Sequence, residues 1–219
     1  MPETKETDWN NFWGQNGSQK YTHISWSKKR ILEICAPYLS APSTVLDAGC
    51  GSGFFSKVFC DQGLQVISCD YSDMALEMTR KKTENRTMIL KADLLSEDLL
   101  PLVEQKCDLI FSDGLLEHFS TDEQGKILTN FRSVLKDDGV VITFVPNLFS
   151  PWQIIRPFFM PGIKERPFLL DGLKKIHKMN GFNIFHSGGI NVVPFALSPD
   201  NFLGSYLGMI LYCIAKKES

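Results

Sequence analysis

Four acids stand where apolar runs end. Asp47 follows Val45-Leu46, Asp70 follows Val66-Ile67-Ser68-Cys69, Asp93 follows Ile89-Leu90-Lys91-Ala92, and Asp113 follows Leu109-Ile110-Phe111-Ser112. Only the first leads into a glycine-dense turn, Ala48-Gly49-Cys50-Gly51-Ser52-Gly53. Glycines there let backbone approach a ligand where a Cβ would block it. Asp70, seventeen residues past Gly53, is placed to accept both hydroxyls of a ribose. A nicotinamide dinucleotide wants G-x-G-x-x-G, and its third glycine position is Phe54 here. No Gly-Lys-Ser/Thr follows, so a P-loop is excluded. The chemistry indicated is binding of a ligand that contains a ribose and need not contain a phosphate.

The elements must bring these acids to one edge. Ile31, Leu32, Ile34 and Cys35 recur at helical spacing between Ser25 and Leu39, with Lys28, Lys29 and Arg30 expected in solvent. A strand over Val45–Asp47 runs through the glycine turn into a helix that ends near Gln62, with Gly63 closing it. Gln65–Asp70 reads as a second strand, and Ser72 or Asp73 caps a helix from Met74 to about Thr83. Thr87–Asp93 and Cys107–Asp113 read as strands three and four. Thr121–Leu135 reads as an amphipathic helix with Ile127, Leu128, Phe131, Val134 and Leu135 on one stripe. A turn at Asp138-Gly139 leads into the β-prone run Val140–Val145. Strands alternating with helices predict a doubly wound, mostly parallel seven-stranded α/β sheet. In such sheets ligands bind beyond the carboxyl ends of the strands, where the four acids lie.

After the fifth strand the pattern changes. Residues 146–168 carry five of the eleven prolines, together with Phe149, Trp152, Phe158, Phe159 and Phe168. No single regular helix is expected there. Asp171 is expected to cap a helix over Gly172–Asn180, ended by Gly181. Two closing strands, Phe182–His186 with an extension to Val193 and Leu207–Ile214, are expected to add antiparallel pairing at the sheet edge through a loop-like connection.

Bulk properties narrow the reading. A chain of 219 residues fits one domain over 1–219. Net charge is −2, which gives nucleic-acid binding no support. The six cysteines include no C-x-x-C pair, and no metal-ligand set is expected. Reduced thiols and the polar N-terminus, without an apolar signal region, fit a cytoplasmic protein. The apolar stretch Phe202–Ala215 is shorter than the roughly 20 residues of a spanning helix, so no stable membrane insertion is expected and a buried strand is the reading.

Taken together and in order, several stretches resemble class I S-adenosylmethionine-dependent methyltransferases, in the small-molecule, methyltransferase type 11-like branch. They are Asp47-Ala-Gly-Cys-Gly-Ser-Gly53, Asp70-Tyr-Ser72, Ala92-Asp93, Ser112-Asp-Gly-Leu-Leu-Glu-His118 and Leu135-Lys-Asp-Asp-Gly139. The resemblance runs from about residue 40 to the end. It implies S-adenosyl-L-methionine as cofactor, with Gly49, Cys50, Gly51 and Gly53 under its methionine part and Asp47 holding its ammonium. It further implies Asp70 on the ribose, Tyr71 against the adenine, Asp93 and the Leu94 amide on the adenine edge, and Ser112 near the methionine end. Where members often carry a methionine, five residues past the ribose acid, this chain has Ala75, with Met74 one place early.

The acceptor is less constrained. A small-molecule acceptor, apolar or aromatic, is the reading, with residues 146–170 as its cap and residues 1–40, including Trp9 and Trp13, as an arm and lid. His118 is a candidate base, because histidine titrates near neutrality. Glu117-His118 is otherwise expected to shape a helix start. His177 is expected to pack or face solvent, and His23 and His186 stay open. Arg156, Lys164 and Arg166 are expected in solvent unless an acidic acceptor engages them. The alternatives are a nucleic-acid or protein methyltransferase and a non-catalytic cofactor-binding protein on the same fold. Against the first, Ser112-Asp-Gly-Leu stands where an Asn/Asp-Pro-Pro-Tyr/Phe would be expected. The scattered cysteines do not favour arsenite as acceptor.

Overall fold

A computed structural model describes residues 6–14, 23–95, 98–159 and 165–218. Seven strands form one sheet: β1 (Thr44–Ala48), β2 (Gln65–Asp70), β3 (Met88–Lys91), β4 (Cys107–Asp113), β5 (Leu135–Pro146), β6 (Phe182–Ile190) and β7 (Ile210–Lys217). Their order is β3-β2-β1-β4-β5-β7-β6. The first five run parallel, and β7 pairs antiparallel with both β5 and β6. The antiparallel strand is thus inserted between β5 and the outermost strand β6.

Nine α-helices are described: α1 (Glu6–Gly14), α2 (Trp26–Cys35), α3 (Phe54–Asp61), α4 (Asp73–Lys82), α5 (Leu99–Val103), α6 (Thr121–Val134), α7 (Trp152–Phe159), α8 (Leu170–Met179) and α9 (Asp200–Leu207). Strand alternation sorts the core into two layers. Leu46, Ile67, Ile110 and Val141 pack against Ile127, Leu128 and Phe131 of α6 and Leu173 of α8. Val45, Val66, Leu109, Phe111 and Ile142 pack on the other face against Ile31 of α2 and Phe55 and Phe59 of α3. Phe111 is the hub of that second layer, with ring centroids 4.7 Å from Phe55 and 5.2 Å from Phe59. Rings at these separations gain about 0.5–1.5 kcal/mol per pair beyond their buried area.

Local chemistry explains the boundaries. The Ser72 hydroxyl accepts from the Ala75 amide and caps α4. Ser120 and Glu123 form a reciprocal capping box at the start of α6. Glu117-His118 therefore does not shape that helix start; the pair lies in a separate 3-10 turn, Leu116–His118. Asp171 sits inside the first turn of α8, and the cap position is Leu169, with no side-chain bond.

Several expectations change. Arg30 is buried and pairs with Asp200 at 3.0 Å, while also donating to Asn191 and the Phe195 carbonyl. Lys28 is half-buried, its ammonium 4.0 Å above the Phe54 ring. The stretch 202–215 is not one strand: Asp200–Leu207 forms α9, leaving Phe202 and Tyr206 exposed, and only the second half enters β7. The connection between the closing strands therefore contains a helix. Asp138-Gly139 does not separate α6 from the strand, because β5 already begins at Leu135 and absorbs the irregularity with a register shift opposite Cys107/Leu109. Among the described residues no helix is long and apolar enough to cross a membrane.

Candidate functional site

A cavity of about 1010 Å³ opens at the carboxyl ends of β1, β2, β4 and β5. Asp47, Gly49, Cys50, Gly51, Asp70, Tyr71, Asp93, Leu94 and His118 all line it. Gly53 and Ser112 do not. Gly53 instead packs on α4, where a Cβ would fall 2.7 Å from the Thr79 backbone, and its φ of +69° starts α3. Ser112 follows the strand alternation: Leu109, Phe111 and Asp113 face α2, α3 and the cavity, so Ser112 points to the other face. There its hydroxyl is fully buried, without a hydrogen-bond partner among the described residues.

The ribose-type end of the cavity is built by backbone. The Asp70 carboxylate accepts from the Gly51 amide and the Ser72 amide, each at 3.0 Å. This ties the glycine turn to the end of β2. The Tyr71 amide is a third backbone donor to Asp70, and a carboxylate has about four acceptor sites, so Asp70 keeps capacity for a ribose hydroxyl. Gly49 and Cys50 donate to the Cys69 carbonyl at 2.8 and 3.0 Å, which fixes the turn from below. A Cβ at Gly51 would lie 2.6 Å from the Trp13 indole, so the helix α1 roofs the turn closely. The Asp93 carboxylate accepts from the Leu95 amide at 2.9 Å. Met74 is exposed beside α1.

Asp47 is buried, 2% exposed, and accepts from the Ser56 hydroxyl at 2.5 Å. Burial pushes its carboxyl up to about 7, and the Ser56 bond offsets only part of that. Asp113 is pushed up to about 6 by burial, with the Lys28 ammonium as the opposing charge. Burial lowers Lys28 to about 8, against the pull of Asp113. An acid end with this little water favours a cationic group arriving with a ligand.

Beyond Gly114 the lining changes character. Phe111, Leu115, Phe119, Val145, Trp152 and Ile210 supply apolar surface. His118 has Trp9 packed edge-on at 4.8 Å and lies 3.9 Å from Glu117 Oε1 through its Nε2. Glu117 and Glu165 join the lining here, and no spacing pattern in the sequence marks Glu165. It arrives because the Arg166 amide donates to the Glu117 carbonyl at 2.7 Å, laying residues 165–168 beside the 3-10 turn. Arg156 is not in solvent: its guanidinium reaches Glu165 at 2.6 Å, with the two side chains only 11% and 6% exposed. Arg166 is exposed. Lys164 lies outside the described residues, as do the side chains of Phe158 and Phe159. Phe168 packs on the core and Phe149 is exposed, so of the cap aromatics Trp152 lines the cavity.

The other histidines are accounted for. His177 is fully buried, bonded to Thr143 and the Leu173 carbonyl, and lowered to about 4 by burial. His186 meets the Tyr212 hydroxyl at 3.1 Å. His23 sits exposed at the cavity rim.

Residues 46–143 match the family model described as a methyltransferase domain. A malonyl-[acyl-carrier protein] O-methyltransferase from Hamiltonella defensa is 36% identical over 46% of this chain and 36% of its own length. A tRNA N(3)-cytidine methyltransferase from Mus musculus is 25% identical over 65% of this chain and 53% of its own length. The chain thus spans about a third to a half of these relatives. The N-methyltransferase NodS from Bradyrhizobium japonicum, solved with S-adenosyl-L-homocysteine, superposes with a TM-score of 0.70 over 98% of each chain at 12% identity, a likeness of fold.

Proposed function

We propose, from the premise that this chain carries a class I methyltransferase domain whose cofactor is S-adenosylmethionine, that it methylates a small molecule with apolar or aromatic surface. One observation carries the acceptor class: the cavity continues from the acids of β1 and β2 into a pocket walled by Phe111, Leu115, Phe119 and Trp152. A volume near 1010 Å³ sits at the upper end of small-ligand sites and has room for two molecules end to end.

In this reading Asp70 binds the ribose hydroxyls with the acceptor capacity that its backbone amide donors leave. Tyr71 lies against the adenine, and Asp93 and the Leu94 amide meet its edge. Asp47 receives the ammonium, directly or through water, which compensates the burial that raises its carboxyl. The bound sulfonium supplies an already electrophilic methyl carbon. What the chain adds is alignment: Gly49 and Gly51 set one partner, and the aromatic wall sets the other. Orientation of this kind can contribute roughly 7–11 kcal/mol of the barrier. Trp9 and Trp13 of α1 close the cavity from above and limit water.

The test is isothermal titration with S-adenosyl-L-homocysteine, followed by transfer of labelled methyl to a panel of aromatic acceptors. Saturable binding is expected, with Asp70→Ala weakening it about 100-fold, the equivalent of roughly 2.7 kcal/mol. Absence of binding at millimolar ligand would sink the reading. Copurified RNA that takes up methyl while the panel does not would replace the acceptor class.

A further inference from the structure

Glu117 is a cavity acid that the ribose-end chemistry leaves unexplained. It is 2% exposed, and its Oε2 has no hydrogen-bond partner among the described residues. Its neighbours are Glu165, held by Arg156 at 2.6 Å, and His118, whose Nε2 is 3.9 Å from Glu117 Oε1. Among the described residues, two carboxyl groups face one guanidinium, which Glu165 engages, so an ionised Glu117 is short of one positive charge. A buried charge in that state costs several kcal/mol until it meets a partner. The complement is one positive charge carrying N–H donors.

We propose that the acceptor is an amine, seated as its ammonium ion beside Glu117 in the part of the cavity that Trp9 and Trp152 line; the inference rests on the methyltransferase reading above. Glu117 supplies the acceptor oxygen, and aromatic faces attract a cation further. A divalent metal fits less well. Ligand atoms of Glu117, His118 and Glu165 do lie within 4.8 Å of one another. However, a double charge would overcompensate the site and compete with Arg156 for Glu165.

The same geometry gives a proton route. The ammonium R–NH3+ passes one N–H proton to the Glu117 carboxylate. The freed nitrogen lone pair forms the new N–CH3 bond as the S–CH3 bond breaks, with that electron pair retained by sulfur as a neutral thioether. The product leaves as R–NH2+–CH3, and the Glu117 proton is lost to solvent on release. Burial and the like charge of Glu165 raise the Glu117 carboxyl, so its ionised form, held while the ammonium is paired with it, readily takes up the amine proton.

The experiment uses the full chain saturated with S-adenosyl-L-homocysteine. Intrinsic tryptophan fluorescence reads the binding of a panel of arylalkyl and alkyl monoamines, each beside its alcohol isostere, beginning with phenethylamine and phenethyl alcohol. At least one amine is expected to bind about tenfold or more tighter than its alcohol. Glu117→Gln is expected to abolish that preference while leaving the homocysteine ligand's affinity within about twofold, and Glu117→Asp to keep part of it. Methyl transfer should follow the same ranking. Thermal melts confirm that the variants fold.

Equal binding of every amine and alcohol, or a preference that survives Glu117→Gln, overturns the inference and leaves the methyltransferase reading standing. Stoichiometric binding of zinc or manganese that Glu117→Gln removes also overturns it, in favour of a metal. Failure of the homocysteine ligand to bind overturns both.

Discussion

The two ends of the cavity are built by different means. At the ribose-type end, the acids lie at or just beyond the ends of their own strands; backbone amides set Asp70 and Asp93, and the Ser56 hydroxyl sets Asp47. Asp70 with Gly51 and Ser72 is the clearest case. At the acceptor end, His118, Trp152, Glu165 and Ile210 come from four separate elements and meet only because 165–168 is laid against the 3-10 turn and β7 is inserted beside β5. The first end tolerates little change in backbone. The second is a wall of side chains, open to change in chemistry at constant fold.

Gly53→Ala tests that contrast most severely. The alanine would hold a φ of +69° and press its Cβ to 2.7 Å from the Thr79 backbone. Left-handed backbone costs roughly 1–2 kcal/mol and overpacking about 1–3 more. A loss of about 3–4 kcal/mol is expected in urea melts, with cofactor affinity falling as the turn shifts. A loss below about 1 kcal/mol would mean that the turn is not rigid and the contrast is overstated.

Next in size is a pH effect at Asp47. Its folded carboxyl is raised to about 7 from an ordinary 3.8, so the folded chain holds a proton that the unfolded chain releases. Stability from this group is full below about pH 4, falls as pH rises, and levels off above about 7. Between pH 5 and pH 8 the loss is on the order of 3 kcal/mol. Asp113, raised to about 6, adds loss in the same direction. Urea melts of wild type and Asp47→Asn across this range should therefore diverge, the variant showing the flatter profile. Parallel profiles would refute the assignment. Saturating cofactor should restore more stability to the wild type than to the variant if Asp47 holds its ammonium.

These two residues also show why one end was readable in advance. A glycine turn after a strand and an acid at each strand end are local requirements, visible as spacing. Strand periods placed β1, β2 and β4 within a residue or so, and the capping serine of α4 was legible for the same reason. Ser112, which the resemblance places near the methionine end, is turned away from the cavity lining by the period-2 alternation of β4. Gly53, which the resemblance places under the cofactor, stands outside the cavity lining and packs on α4. Glu165 and Arg156 carried no signal, since their meeting depends on an Arg166 amide finding the Glu117 carbonyl 49 residues earlier in the chain. Helix α9 was missed because its apolar residues, Phe202 and Leu203 among them, read equally as strand until the backbone decides.

Trp9→Ala probes the boundary between the two ends. The ring packs edge-on to His118 at 4.8 Å and to Phe12 at 5.7 Å, yet its helix is docked at the ribose side, where Asn10 Oδ1 accepts from the Ser72 hydroxyl at 2.7 Å. If Trp9 serves the acceptor, its loss costs about 0.5–1.5 kcal/mol there. Steady-state kinetics should then show acceptor kcat/KM down roughly fivefold with cofactor Kd nearly unchanged. The reverse pattern would make α1 a cofactor lid only.

Gly172→Ala completes the comparison from the tolerant side. Gly172 lies in the first turns of α8 on an exposed face, and nothing falls within 4 Å of where a Cβ would stand. An alanine there meets no neighbour and removes backbone freedom from the unfolded chain. A gain of about 0.5 kcal/mol is expected, read as a small rise in the urea midpoint without change in slope. The same substitution at Gly53 should destabilise several-fold more strongly than this one stabilises. The opposite signs follow from position alone: one glycine holds two helices at a distance no side chain permits, and the other faces water. Destabilisation at Gly172 of more than about 1 kcal/mol would show α8 packed against something beyond the contacts described.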